Sequence, residues 1–126
     1  LIPNALDAGI EALKTRGHYP INHLVVVRDE LLDAHPDLAA DVFETFAAAK
    51  NLYVEDLKAG RIDKLTEPDV VHRRVMDITG NPLPYGIEPN RAALEELVRH
   101  ATTQKIITRP VDIDALFAPS TRGLVG

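Results

Sequence analysis

Histidine, tyrosine and asparagine side chains gather in one short stretch near the start of the chain, GHYPINH. They are His18, Tyr19, Asn22 and His23. An imidazole titrates near neutral pH, so a histidine in this setting can donate a proton to a reacting carbon. Tyr19 and Asn22 can hydrogen-bond the polar groups of a ligand. We predict that His23 is the acid of this site. The alternative is a histidine that packs at the end of a strand and bonds a neighbouring carbonyl.

A metal site is not predicted from these side chains. His18 and His23 are five positions apart, and no third ligand follows at the spacing of an HxH or HExxH motif. The chain has no cysteine, which excludes disulfides, thiolate catalysis and cysteine-based zinc or iron–sulfur sites. It also has no P-loop, GxGxxG or GxSxG motif. We therefore predict neither a metal nor an organic cofactor.

A second candidate position is Tyr85, which stands between Pro84 and Gly86 in the stretch NPLPYGIEPN. This stretch is rich in turn-forming residues. An aromatic ring held by such a turn either fixes the fold or forms one wall of a ligand pocket, and both interpretations stay open. His72, by contrast, falls within an amphipathic helical pattern and is interpreted as solvent-facing.

The composition is that of one globular domain. The 126 residues are enough for a real core, and the apolar fraction of 45% and charged fraction of 26% are typical values. The formal net charge of −5 argues against nucleic acid or a membrane surface as a partner. No apolar run approaches the roughly 20 residues of a membrane span. The first residues lack an initiator methionine and the features of a signal peptide, which favours a piece of a longer protein.

Helices dominate the predicted elements, with five or six expected. Apolar residues recur at intervals of three and four from Ala5 to Leu13 and from Leu38 to Leu57. Phe46, Ala49 and Tyr53 belong to the predicted inner face of the second of these helices. Glycines at the ends of the patterns predict helix termini. These glycines are Gly17, Gly60 and Gly80.

Only one stretch predicts a β-strand. It runs from Leu24 to Val27, and its continuous, largely β-branched apolar residues are typical of a strand covered on both faces of a sheet. The predicted fold class is therefore α/β, mostly helical, with one buried strand. A lone strand leaves its backbone groups without partners, at a cost of roughly 1–3 kcal/mol each. We expect the missing strands to come from the rest of a longer protein or from a second copy of this chain.

Three segments together carry a resemblance to a known family. They are residues 1–50 with GHYPINH and VVVRDELLDAHPDLAADVFETFAAAK, residues 80–107 with NPLPYGIEPNR, and residues 112–121 with LFAPST. In this order they resemble the C-terminal portion of 4,5-dihydroxyphthalate decarboxylases. That family is similar to the type II periplasmic-binding proteins, including the nitrate-, taurine- and sulfonate-binding components of transporters. The VVVRDE stretch is common to many binding proteins, whereas GHYPINH, NPLPYGIEPNR and LFAPST narrow the resemblance to the decarboxylase-like branch.

The resemblance implies a fold of two α/β lobes with a ligand cleft between them. On this interpretation residues 1–17 are a helix that approaches a hinge crossing. Residues 18–119 are the return strand and closing helices of one lobe, and residues 120–126 are a tail. The strands that pair with Leu24 to Val27 would then lie outside this chain.

The activity that the resemblance implies is conversion of 4,5-dihydroxyphthalate, a small aromatic dicarboxylate, to protocatechuate and carbon dioxide without a cofactor. His23 would then protonate the carbon that loses its carboxylate. Tyr19, Asn22 and Tyr85 would contact hydroxyl or carboxylate groups of the substrate. The alternative is a non-catalytic solute-binding protein of the ABC-transporter type for a small anionic or aromatic ligand. The enzyme is expected in the cytoplasm, and the binding protein in the periplasm or at the cell surface.

Overall fold

The computed structural model describes residues 2–17 and 21–126. Within these ranges the chain forms five α-helices, two short 3-10 turns and no β-strand. The α-helices are α1 (Ala5–Arg16), α2 (Asp29–Ala34), α3 (Leu38–Ala59), α4 (Glu67–Thr79) and α5 (Ile87–Thr103), and the 3-10 turns are Asp114–Leu116 and Pro119–Thr121. None of these helices is both long enough and apolar enough to cross a membrane.

The prediction of an α/β fold with a buried strand is wrong, because the described chain is all helical. Residues 21–28 lead into α2 without regular secondary structure. No described backbone hydrogen bond pairs Leu24 to Val27 with another segment. Leu24, Val25 and Val26 are 55%, 62% and 89% exposed rather than buried. A β-branched run forms a strand only where a neighbouring strand and a covering layer are available, and the described helices provide neither.

The predicted glycine helix ends are confirmed. Gly17, Gly60 and Gly80 each follow a helix in the left-handed conformation, and each donates its N–H to a carbonyl of the preceding turn. The start of α4 is fixed by a capping box. The Thr66 hydroxyl accepts from the N–H of Asp69, and the Asp69 carboxylate accepts from the N–H of Thr66.

A small apolar cluster joins α1 to α4. It consists of Ile10, Leu13 and Val75, all nearly fully buried. An ion pair of 2.8 Å between Arg74 and Asp7 connects the same two helices at the surface. Because exposed ion pairs contribute little, the apolar cluster is the main source of stability at this contact.

A second cluster anchors α5. Ile87 and Leu94 of α5 pack against Ile113, which lies just before the first 3-10 turn. The partly buried side chains packed against this cluster are Ile21, Val98 and Phe117. The cluster therefore ties together three parts of the chain that are distant in sequence: the start of the 21–28 segment, α5 and the C-terminal region.

The buried side of α3 differs from the predicted one. Phe46 was predicted to face inward, but it is 49% exposed, and Ala49 is exposed as well. The residues that are buried on α3 are Ala39, Ala47, Lys50 and Leu57. The predicted face is otherwise confirmed, since Leu57 is fully buried and Tyr53 is half-buried. Along its length α3 contacts α2, α4 and the Pro119–Thr121 turn.

The last residues of the chain lie against α3 and against the turn that precedes α5. Tyr85 donates its N–H to the carbonyl of Gly126 over 2.9 Å, and Gly126 donates back to the carbonyl of Tyr85 over 3.2 Å. A side chain at Gly126 would overlap Ala47, so the backbone lies directly on α3 here. These contacts place Tyr85 next to the buried side of α3.

Candidate functional site

His23 and Asn22 lie on the irregular 21–28 segment, and both side chains are exposed. Within the described ranges neither side chain makes a hydrogen bond or an ion pair. The segment begins at Ile21, which packs against the Ile87 cluster. His23 follows this anchored residue by two positions, a distance of at most about 7 Å along the chain. Tyr19, the remaining candidate of this stretch, lies outside the described residues.

Tyr85 is connected to the same cluster as Ile21. It stands two positions before Ile87, a member of the cluster against which Ile21 packs. His23 and Tyr85 therefore belong to one region of the molecule, although no hydrogen bond or ring contact among the described residues joins them. That they share a ligand site stays a prediction.

The ring of Tyr85 contacts the buried side of α3. It packs edge-to-face with the ring of Phe43, at a centroid distance of 6.3 Å and an interplanar angle of 65°. The Nζ atom of Lys50 lies over the same ring, 5.5 Å from its centroid, in cation–π geometry. Together with the backbone pairing to Gly126, these contacts fix the orientation of Tyr85. Tyr85 therefore holds the turn onto α3, and a ligand contact by the same ring stays a prediction.

The turn around Tyr85 is held by the side chain of Asn90. Its Nδ2 donates to the carbonyl of Pro84 over 2.8 Å and to that of Gly86 over 2.9 Å. Gly86 has φ 108° and ψ 164°, a backbone conformation that is essentially open only to glycine. The stretch NPLPYGIEPN is thus an ordered turn whose asparagine and glycine have structural functions.

Lys50 is a candidate functional residue that was not predicted from the sequence. Its side chain is only 7% exposed, and in the described part of the chain no carboxylate pairs with it. Burial lowers the pKa of Lys50, because removal of water disfavours the ammonium form. No described side-chain nitrogen or oxygen is both fully buried and without a partner, so the Nζ atom keeps some contact with solvent. The sequence does contain a signal for this burial, since Lys50 lies three positions after Ala47 and seven before Leu57, at the spacing of an apolar helix side.

A second polar cluster joins α3 to α4. The hydroxyl of Tyr53 donates to Oδ1 of Asp69 over 2.6 Å and lies 2.9 Å from Nδ1 of His72. The hydroxyl has one proton, which the charged carboxylate takes as the stronger acceptor. Nδ1 of His72 must therefore carry a proton and donate it to the Tyr53 oxygen. His72 is half-buried in this contact, which corrects its interpretation as a solvent-facing residue.

The ionisation of this cluster follows from its hydrogen bonds. The bond from Tyr53, followed by those from the N–H and hydroxyl of Thr66, lowers the pKa of Asp69 to about 2. Burial, together with the bond to Asp69 and its charge, raises the pKa of Tyr53 to about 12. Near neutral pH the carboxylate is charged and the phenol is protonated. The cluster can therefore connect two helices, and it presents no phenolate for chemistry.

A surface depression of about 310 Å³ lies beside the Tyr85 turn. Its polar lining includes Asn81, Thr79 and Asn90, and Pro84 contributes an apolar wall. The hydroxyl of Thr79 and the amide of Asn90 already donate hydrogen bonds to backbone carbonyls. This depression therefore has few free polar groups that would hold a charged ligand.

No family model, no curated protein and no solved structure matches the chain. Among the described residues, no three histidine or carboxylate side chains are grouped in a way that could hold a metal ion.

Proposed function

We propose that this chain forms part of a decarboxylase that acts on a small aromatic dicarboxylate of the 4,5-dihydroxyphthalate type. The resemblance of residues 1–50, 80–107 and 112–121 to that family provides the reaction class. One structural observation supports the proposal: Ile21, two positions before the exposed His23, packs against the cluster that contains Ile87, two positions after Tyr85. A proton donor and an aromatic contact surface are both required by this chemistry.

The proposed reaction needs one proton transfer and no oxidant. His23, in its protonated form, donates a proton to the ring carbon that bears the leaving carboxylate, while a ring hydroxyl supplies electron density. The bond between the ring and the carboxylate carbon then breaks. Its electron pair restores the aromatic ring, and carbon dioxide leaves. His23 remains as neutral imidazole and takes up a proton from water.

The other candidate residues would position the substrate. Asn22 is exposed one position before His23, and its amide can donate to a carboxylate or accept from a catechol hydroxyl. Tyr19 and Tyr85 would supply further hydroxyl groups. The exposed apolar run that follows His23 would be covered by the remaining part of the protein or by a second copy of this chain.

One observation favours a second candidate, a solute-binding protein without catalysis. A catalytic histidine is normally oriented by a hydrogen bond to its second ring nitrogen, and within the described ranges His23 has no such partner. A binding protein needs no such orientation. For the enzyme we infer a cytoplasmic location, and for the binding protein a periplasmic or cell-surface one.

The test is an activity assay on the purified natural protein. It is incubated with 4,5-dihydroxyphthalate, and protocatechuate formation is followed by chromatography. General acids contribute roughly 100-fold to 10,000-fold in rate, so we expect His23→Ala to lower kcat by about 100-fold or more. His35→Ala is the matched control, since His35 is also exposed and without a hydrogen bond from its side chain.

Each outcome assigns the function. Equal rates for wild type and His23→Ala would remove His23 from the mechanism. Absence of product together with tight binding of phthalate would favour the solute-binding protein. A loss in the His35→Ala control as large as that in His23→Ala would indicate a general effect on the fold rather than on proton transfer.

A further inference from the structure

Lys50 is an unusual lysine for its position. It lies on the buried side of α3 with 7% of its surface exposed. Burying an ammonium group is costly unless an anion compensates its charge, and buried lysines are therefore normally paired. Within residues 2–17 and 21–126 no carboxylate lies in ion-pair contact with Lys50. The ammonium group has three N–H donors, and its one described polar contact is with the ring of Tyr85.

The surroundings of Lys50 include aromatic rings. Its Nζ atom lies 5.5 Å from the Tyr85 ring centroid, and Phe43 packs edge-to-face with that ring. Phe46 lies four positions before Lys50, about one turn earlier on α3, and it is 49% exposed. A cation–π contact supplies only about 0.5–2 kcal/mol. Tyr85 therefore compensates the charge of Lys50 only in part.

We propose that the ammonium group of Lys50 binds the carboxylate of an aromatic acid whose ring lies beside Tyr85 and Phe46. The Nζ atom keeps solvent contact, so a carboxylate oxygen can reach it. An aromatic carboxylate matches both features of this surface, one cation and two aromatic side chains. The inference rests on the proposed function for its ligand class. It assigns Lys50 to the carboxylate that stays on the ring, as the one cationic side chain proposed to contact the substrate.

Binding of phthalate to the natural protein tests this assignment. Lys50→Met keeps the length and the apolar stem but removes the charge, and Lys58→Met does the same at an exposed lysine of α3. We expect Lys50→Met to weaken phthalate binding at least tenfold by calorimetry and Lys58→Met to leave it unchanged. Catechol, which has the aromatic ring but no carboxylate, should bind both variants and the wild type equally. Equal phthalate affinity of folded Lys50→Met and wild type would overturn the proposal.

A second measurement needs no variant. Acetylation of lysines by a low concentration of acetic anhydride is followed by mass spectrometry on the wild type. Saturating phthalate should slow acetylation of Lys50 at least tenfold and should not change that of Lys58. Unchanged acetylation of Lys50, or failure of phthalate to bind, would overturn the assignment even if Lys50→Met does not fold. Neither experiment depends on turnover, so failure of the decarboxylase proposal would be seen separately, as absence of protocatechuate.

Discussion

Asp69 shows how much one carboxylate can organise. Its Oδ2 accepts from the N–H and from the hydroxyl of Thr66, each over 2.7 Å. Its Oδ1 accepts from Tyr53 of α3. The same side chain therefore begins α4 and fixes the contact between α3 and α4. All three bonds go to the charged form of the carboxylate, which is why they stabilise the folded state only while Asp69 is ionised.

The stability of the protein should consequently depend on the ionisation of Asp69. The pKa of Asp69 is about 2 in the folded protein, against 3.8 for an unperturbed aspartate. The stabilisation is therefore nearly complete above about pH 5 and is lost progressively as the pH falls through 3.8 towards 2. Urea unfolding at pH 5 and pH 2.5 should show that wild type loses more stability on acidification than Asp69→Asn.

Other carboxylates titrate in the same range, so a control is needed. Asp77 lies on the same helix, is exposed and makes no described hydrogen bond. The pH dependence of Asp77→Asn should follow that of the wild type. If Asp69→Asn also followed it, the hydrogen bonds of Asp69 would not be a source of acid sensitivity.

The turn before α5 is the element that depends most on a single glycine. Gly86 adopts φ 108°, and a Cβ at this position would overlap the carbonyl oxygen of Leu124. Two causes, backbone conformation and contact with the C-terminal residues, therefore both require glycine. Because Tyr85 and Gly126 exchange hydrogen bonds next to this contact, displacement of Leu124 would also disturb the ring of Tyr85 over Lys50.

Two glycine substitutions distinguish the specific need for glycine at position 86 from a general effect of replacing glycine by alanine. Gly86→Ala should lower the free energy of unfolding by about 2–3 kcal/mol, because it adds both strain and overlap. Gly9 lies inside α1 with no atom close to the position of a Cβ. Gly9→Ala should raise the free energy of unfolding by about 0.5–1 kcal/mol through helix propensity. Urea unfolding curves measure both, and equal effects of the two changes would contradict the account of Gly86.

The helix ends were predicted correctly from the sequence, whereas the predicted strand is absent from the described chain. Gly17 and Gly80 end their helices because a left-handed residue is a local requirement that one glycine satisfies. The run from Leu24 to Val27 has a local preference for extended structure, but a strand also needs hydrogen bonds from a partner elsewhere in the fold. The described chain provides no such partner, and local pattern alone gives no information about this.

In the candidate site, too, one feature was predicted from the sequence and another was not. The rigid turn around Tyr85 was predicted, since proline and glycine restrict the backbone directly. The burial of Lys50 was not predicted, because a charged residue in a helical pattern is normally interpreted as solvent-facing. The apolar stem of a lysine can nevertheless cover apolar surface. The burial of Lys50 depends on the Tyr85 turn and the C-terminal residues, which lie against α3 and are distant from it in sequence.

At the scale of the whole molecule, the apolar side chains are divided between small buried clusters and a large exposed set. Each cluster has only three buried members. The exposed large apolar residues include Ile2, Leu6, Leu24, Val25, Val26, Leu31, Phe46, Leu52, Val70, Ile78, Leu97, Ile106, Leu116 and Val125. Single exposed apolar residues are ordinary, whereas consecutive ones such as Leu24 to Val26 form a contiguous apolar stretch of the kind through which proteins associate.

We therefore expect the 126-residue chain to associate through this run. Light scattering coupled to size exclusion should give an apparent mass above that of one chain, rising with concentration. Val26 is 89% exposed, so Val26→Lys should change the free energy of unfolding by less than about 0.5 kcal/mol while shifting the chain to the monomer by charge repulsion and loss of apolar contact. Leu97→Lys, at an exposed position on α5, should leave association unchanged. A wild-type chain that stays monomeric at every concentration would exclude the second copy and leave another part of the protein as the cover of this run.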